Sequence, residues 1–275
     1  MKTALFLAAF LASASIAFAQ DEKPQSIPFE GGNFTVTQNE DFEKILTFDG
    51  KELARNYVVY YDRTVELGDV KVALFAVGDG GNACGPAQLM VWKDDGGEIQ
   101  TESVGEDDCG APPPAVTQDT IFFVPYLMPG DEAPVRSWSP SEGLKISGNL
   151  VFTTQPGTGW ADLDPKKLGH IMEIFTNEDV YNVSKTLLGD ALGDVTTGLI
   201  VGSEPETLAS GVIYARGCVP HACGSSDAFM AVDAANKKLY FAQQGDKPVP
   251  AAWPALDEWP ADIHEAMTQA LAPQQ

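Results

Sequence analysis

The chain has 275 residues, 44% of them apolar, with 39 acidic against 17 basic side chains and a formal net charge of −22. A field of that sign repels nucleic acid and anionic membrane surfaces and draws cationic partners from a distance. A solvated acidic surface that only aids solubility is the simpler reading, so acidity supports a basic partner only alongside a second feature.

Residues 1–19 fit a secretory signal peptide. Lys2 supplies the charged start, an apolar run covers residues 4–18, and Ala17-Phe18-Ala19 has the small-x-small cleavage pattern. The run is short for a membrane span, Asp21 and Glu22 follow at once, and no later stretch approaches ~20 continuous apolar residues. The expectation is an exported chain without membrane insertion, most simply in a bacterial periplasm. Removing 19 residues leaves 256 at a charge of −23, since Lys2 is lost. That length suits one large domain or two ordinary ones.

Residues 20–33 are polar with two prolines and read as a flexible leader. Residues 34–48 are mixed. Tyr57-Val58-Val59-Tyr60-Tyr61 is rich in β-branched and aromatic side chains and predicts a strand. Further strands are expected over 70–77, 89–92, 98–104, 121–126 and 144–152, separated by Gly- and Asp-rich turns. Ala111-Pro112-Pro113-Pro114-Ala115 reads as a stiff extended connector. A β-rich domain of unknown role is therefore expected over 34–155, with the boundary in the Gly- and Pro-containing stretch 153–165.

The second half changes character. Leu168, Ile171, Met172 and Phe175 stand at helical spacing after Asp164-Pro165, and residues 180–188 suggest further helix. Strands are expected over 208–216, 229–232 and 238–243, and a short helix over 261–271. The predicted fold class is α+β: a mostly antiparallel β N-terminal part, then over 165–275 an antiparallel sheet flanked by helices.

Four cysteines in an exported chain favour disulfides over free thiols, and proximity pairs Cys84 with Cys109 and Cys218 with Cys223. The second pair brackets Val219-Pro220-His221-Ala222 between Gly217 and Gly224, strand-like runs lying on both sides. Proline restricts itself and the residue before it, so a bridge here would leave a rigid knuckle. A side chain held that way loses little entropy on entering a partner's pocket. Four chemistries compete for the knuckle. Cys218, His221 and Cys223 supply at most three zinc ligands, crowded on one small loop. Redox sites favour C-x-x-C, which is absent. A stapled turn with an exposed histidine and a recognition loop remain. Asn82-Ala83-Cys84-Gly85 faintly echoes His221-Ala222-Cys223-Gly224, without the upstream cysteine or the histidine.

The run CVPHACGSSDAFMAVDAANKKLYFA resembles the signature region of the inhibitor of vertebrate lysozyme (Ivy) family. The resemblance implies a periplasmic protein whose disulfide-closed C-x-P-H-x-C loop protrudes from an antiparallel sheet flanked by helices. It implies that the loop's histidine enters the cleft of C-type lysozyme and hydrogen-bonds the catalytic carboxylates. On this chain the inhibitory loop is Cys218, Val219, Pro220, His221, Ala222 and Cys223. The family commonly has lysine after the first cysteine and aspartate before the second, where Val219 and Ala222 stand here. C-type lysozymes are strongly basic, which agrees with the charge. The expected partner is a C-type lysozyme or another basic lytic enzyme. The alternative is a periplasmic binding or scaffolding module in which the loop is only a staple.

Nothing in the sequence predicts an enzyme, a cofactor or a metal site. Ser225 and Ser226 lack a G-x-S-x-G elbow, the Asp-rich turns lack EF-hand spacing, and no phosphate- or dinucleotide-binding fingerprint occurs. His170 falls on an apolar-periodic stretch and reads as structural, and His264 as a surface residue.

Overall fold

A computed structural model describes residues 25–81, 84–94, 96–107, 109–220 and 222–272. The expected signal peptide, the first part of the leader (20–24), Asn82 and Ala83 of the echo, and His221 lie outside the described residues.

The N-terminal half is three successive four-stranded antiparallel sheets. The first comprises β1 (Gln25–Phe29), β2 (Gly32–Gln38), β3 (Lys44–Phe48) and β4 (Lys51–Asn56). The second comprises β5 (Val58–Leu67), β6 (Val70–Gly78), β7 (Ala87–Lys93) and β8 (Ile99–Val104). The third comprises β9 (Pro114–Val116), β10 (Ile121–Phe123), β11 (Glu132–Ser139) and β12 (Gly143–Val151). Two-residue hairpins at Glu30-Gly31 and Asp49-Gly50 have positive φ at both positions, the mirror-image turn whose twist matches the flanking strands.

The second sheet is the middle layer. Ala73, Phe75, Leu89 and Val91 pack on Phe29, Phe34, Leu46 and Phe48 of the first sheet, while Val72, Leu74 and Met90 pack on Ile121, Phe123 and Trp138 of the third. Strand alternation along β6 and β7 thus serves two cores at once, which is why these strands read as unbroken apolar runs. A bulge between Tyr61 and Arg63 switches β5 from one core to the other: Val59 and Tyr61 face the first sheet, Val65 and Leu67 the third. The rings of Phe34 and Phe75 meet edge to face at 5.0 Å, and Trp92 meets Trp138 at 4.7 Å. Full burial of each such side chain contributes about 2 kcal/mol or more.

The C-terminal half centres on a six-stranded antiparallel sheet: β13 (Val201–Gly202), β14 (Glu206–Thr207), β15 (Ile213–Cys218), β16 (Ala228–Asp233), β17 (Lys238–Gln243) and β18 (Ala251–Trp253). One face, with Ala215, Met230, Val232 and Phe241, packs on α1 (Glu178–Leu188), α2 (Leu192–Thr197) and the 3-10 turns before them. The other, with Phe229, Ala231, Tyr240 and Ala242, packs on Trp259 and on Ile263 and Met267 of α3 (Ala261–Ala270). The halves touch where Phe152 meets Tyr181 at 5.2 Å between ring centroids and the Gln155 N–H donates to the Thr176 carbonyl.

Among the described residues antiparallel strands dominate, at 43% strand against 19% helix, so the α+β class holds only coarsely. Gln25–Phe29 is strand where a flexible leader was expected, because Phe29 is needed in the aromatic core of the first sheet. The helix expected through Leu168 and Phe175 is instead a pair of 3-10 turns, Pro165–Lys167 and Ile171–Thr176. His170 and Asn177, both extended, interrupt it, and Asn177 caps α1 afresh by accepting from the Val180 N–H at 3.1 Å. The strand expected from 208 begins at Ile213, since Leu208–Val212 folds back as a turn. Pro114–Val116, which begins inside the expected connector 111–115, pairs with β10 as an edge strand, where proline's missing N–H is tolerated.

Candidate functional site

Strand β15 runs into the two-cysteine loop and β16 leaves it, with Gly217 paired to Ala228 across its base. On the other side of β15, Cys218 pairs with Val201 and Gly217 with Gly202, so the incoming arm is held by neighbours on both edges. Gly217 is needed for this. A Cβ there would lie 2.7 Å from the backbone of Leu199, below any ordinary contact. The sheet and the preceding turn therefore close on each other at the root of the loop.

Cys218 is buried and Cys223 exposed, and a disulfide joins them with Cα atoms 4.9 Å apart. The Ala222 N–H donates to the Val219 carbonyl at 3.0 Å, closing a turn inside the bridge. Pro220 is exposed, while Val219 and Ala222 are half-buried. Gly224 has φ +91°, the left-handed region that glycine adopts without strain, and it lets the chain turn sharply out of the loop. Ser225 folds back on the same turn, its Oγ donating to the Ala222 carbonyl at 2.8 Å.

Beneath the loop lies Asp227, 4% exposed. Its Oδ1 accepts from the Gly224 N–H at 2.6 Å, and Oδ2 is 3.7 Å from Nη1 of Arg216. Neither residue was singled out from sequence. An aspartate three residues after a glycine that follows a cysteine is the available signal, because Asx side chains readily accept from nearby backbone N–H groups. A groove of about 530 Å³ runs beside the loop, between Gly224 and Ser225 on one wall and Lys247, His264 and Met267 on the other. His264 is exposed, as its sequence position suggested. His170 is half-buried, and its Nδ1 accepts from the Met172 N–H at 3.2 Å. Next to Arg216 on β15, Tyr214 donates to Glu206 at 2.7 Å; burial first, and that bond second, raise its phenol above the ordinary range.

The other disulfide, Cys84–Cys109, joins the turn after β6 to the turn before β9, with Cα atoms 4.7 Å apart. Its surroundings are backbone against backbone. The Gly85 N–H donates to the Cys109 carbonyl at 3.2 Å, and a Cβ on Gly110 would stand 2.8 Å from Gly85. A cleft of about 870 Å³ opens there between the first and second sheets, with Arg55, Asp79, Glu106 and Asp107 at its rim. Arg55 is held by Glu52 and Glu43; its hydrogen bond holds the Glu52 carboxyl below the usual carboxylate value. Among the described residues, no group of three or more His, Cys, Asp or Glu is placed to hold a metal ion, and no helix is long and apolar enough to cross a membrane.

Residues 179–273, which include the loop, match the family described as inhibitor of vertebrate lysozyme (Ivy). The C-terminal part is Ivy-like. Residues 30–151 match a second family, the Y4bG N-terminal domain. The two matches thus divide between the stacked sheets and the Ivy-like part. Uncharacterized protein y4bG of Sinorhizobium fredii (strain NBRC 101917 / NGR234) is 26% identical over 253 residues, covering 91% of this chain and 92% of that protein. This relative is similar across both the stacked sheets and the Ivy-like part. No solved structure matches.

Proposed function

We propose that the chain is an exported inhibitor of C-type lysozyme that works by inserting the Cys218–Cys223 loop, with His221 as its key, into the catalytic cleft. The observation that carries this reading is the Ivy match over 179–273 coinciding with a disulfide-closed loop at a sheet end. The exposed Pro220 and the charge of −22 both suit delivery into a basic enzyme. The catalytic pair of such a lysozyme needs one carboxyl protonated and one ionised, and an inserted imidazole bonds both while excluding the glycan. Inhibition is then stoichiometric occlusion without turnover, and the chain itself catalyses nothing. The signal-like residues 1–19 and two disulfides support an oxidising, periplasmic location.

Lysis of a peptidoglycan suspension by a C-type lysozyme, titrated with the mature protein and with His221→Ala, tests this reading. Tight inhibition is expected from the unmodified protein, weakened about 100-fold by the substitution, the size of a central interface anchor. Equal inhibition by both proteins, or none by either, would end the His221 proposal. The cleft between the first and second sheets favours a second reading, in which the N-terminal half does the recognising and the loop is only a staple. That reading predicts no inhibition.

A further inference from the structure

The inhibitory loop stands on a ring of hydrogen bonds and one ion pair that reaches the C-terminal helix. The Asp227 carboxylate takes the Gly224 N–H at 2.6 Å, at the loop's exit, and lies 3.7 Å from Arg216 Nη1. The same Nη1 donates to the Ala270 carbonyl at 2.9 Å, at the end of α3. Gln244 completes the circuit: its N–H donates to the Asp227 carbonyl at 2.8 Å, and its Nε2 to the Leu271 carbonyl at 2.6 Å. Three segments distant in sequence (the loop exit, the end of β17 and the end of α3) therefore meet around Asp227, whose carboxylate takes the Gly224 N–H and Arg216 and whose backbone carbonyl takes the Gln244 N–H.

Burying a carboxylate is costly unless it is paired and hydrogen-bonded. Asp227 is 4% exposed and directly precedes β16, across β15 from Val201 of β13, the strand partner of Cys218. The disulfide fixes the distance between the loop's two arms. It does not fix the tilt of the closed loop on the sheet. The incoming arm is set by β13 and β16, and past Cys223 the exit is held, among the described residues, by the fold-back of Ser225 on Ala222 and the bond from Gly224 to Asp227. A cation at the carbonyl end of α3 also complements the helix dipole, which holds Arg216 in place.

We propose that Asp227 and Arg216 are positioning residues for the loop, clamping its exit to the end of α3 so that its apex is presented at a fixed angle. The clamp rests on reading the loop as the inhibitory element, but its first test does not. The rate at which dithiothreitol reduces Cys218–Cys223 is measured against Cys84–Cys109 as the internal reference, in full-length mature protein. Asp227→Ala raises the ratio of the two rates about tenfold, the worth of a charge-assisted hydrogen bond. Asp227→Asn keeps an acceptor for Gly224 and raises it about threefold, and Arg216→Gln does the same. Inhibition of lysozyme weakens in the same order. An unchanged ratio in Asp227→Asn and Arg216→Gln overturns the clamp, as does equal acceleration of both disulfides, which marks a merely structural residue. Should Asp227→Ala fail to fold, the other two variants still decide. An unmodified protein that fails to inhibit lysozyme removes the inhibitory reading and leaves the rate ratio to judge the clamp alone.

Discussion

Cys84–Cys109 joins cysteines 25 residues apart across two loops of the stacked sheets, whereas Cys218–Cys223 joins cysteines five apart within one loop of the Ivy-like part. In the chain-entropy picture the first contributes about 3.5 kcal/mol and the second about 2 kcal/mol. The surroundings differ more than these numbers do. Around Cys84–Cys109, glycine backbones pack against each other and the bridge closes one end of an inter-sheet cleft. Around Cys218–Cys223, the strands and Asp227 hold the root while Pro220 faces solvent. One bridge ties the β6–β7 turn to the connection from the second sheet to the third. The other closes a short loop at the end of a sheet, with Pro220 and Cys223 exposed.

The largest effect is expected from removing the first bridge. Cys84→Ala with Cys109→Ala should cost about 3.5 kcal/mol in denaturant unfolding and leave lysozyme inhibition within about twofold of the unmodified protein. Next is the root of the loop: Gly217→Ala pushes a Cβ to 2.7 Å from Leu199, and thermal unfolding should report a loss of about 2 kcal/mol with weakened inhibition. A loss of similar size without any effect on inhibition is expected from Trp138→Phe. It removes the bond from Nε1 to Glu102 at 2.6 Å in the core between the second and third sheets, for about 2 kcal/mol.

The smallest effect is alkaline. Burial is the main cause raising the phenols of Tyr214 and Tyr240 above their ordinary value of 10.0, with Glu206 adding to it at Tyr214 and Asp233 and Asp262 at Tyr240. The folded state therefore binds these protons more tightly than the unfolded one. Their contribution is fully present below pH 10.0 and is lost as pH rises through the raised values. Tyr214→Phe should flatten the alkaline limb of the stability curve, read by urea unfolding at successive pH values.

Much of this architecture was legible in the chain. The apolar runs of β6 and β7 predicted strands, because buried sheets need unbroken apolar faces. The first sheet was not read, although Asp49-Gly50 between Phe48 and Lys51 is a hairpin signal, because the strands before it mix polar and apolar residues at a half-exposed edge. The helical spacing of Leu168 to Phe175 misled, since 3-10 turns place apolar residues at nearly the same intervals over one or two turns. In the candidate site the cysteines, Pro220 and the flanking glycines were visible as a motif. Asp227 and Arg216 were not, because the two come together only when β15 and β16 pair, and Arg216 then reaches the Ala270 carbonyl of α3 from distant sequence.

One lysozyme assay sets the two disulfides side by side. The Cys218→Ala, Cys223→Ala variant is predicted to raise the inhibition constant about 100-fold, the loss expected when a preorganised anchor becomes flexible, while the Cys84→Ala, Cys109→Ala variant leaves it unchanged. Equal inhibition constants for the two variants, or a larger rise from losing Cys84–Cys109, would show that the Cys218–Cys223 loop is not the inhibitory element.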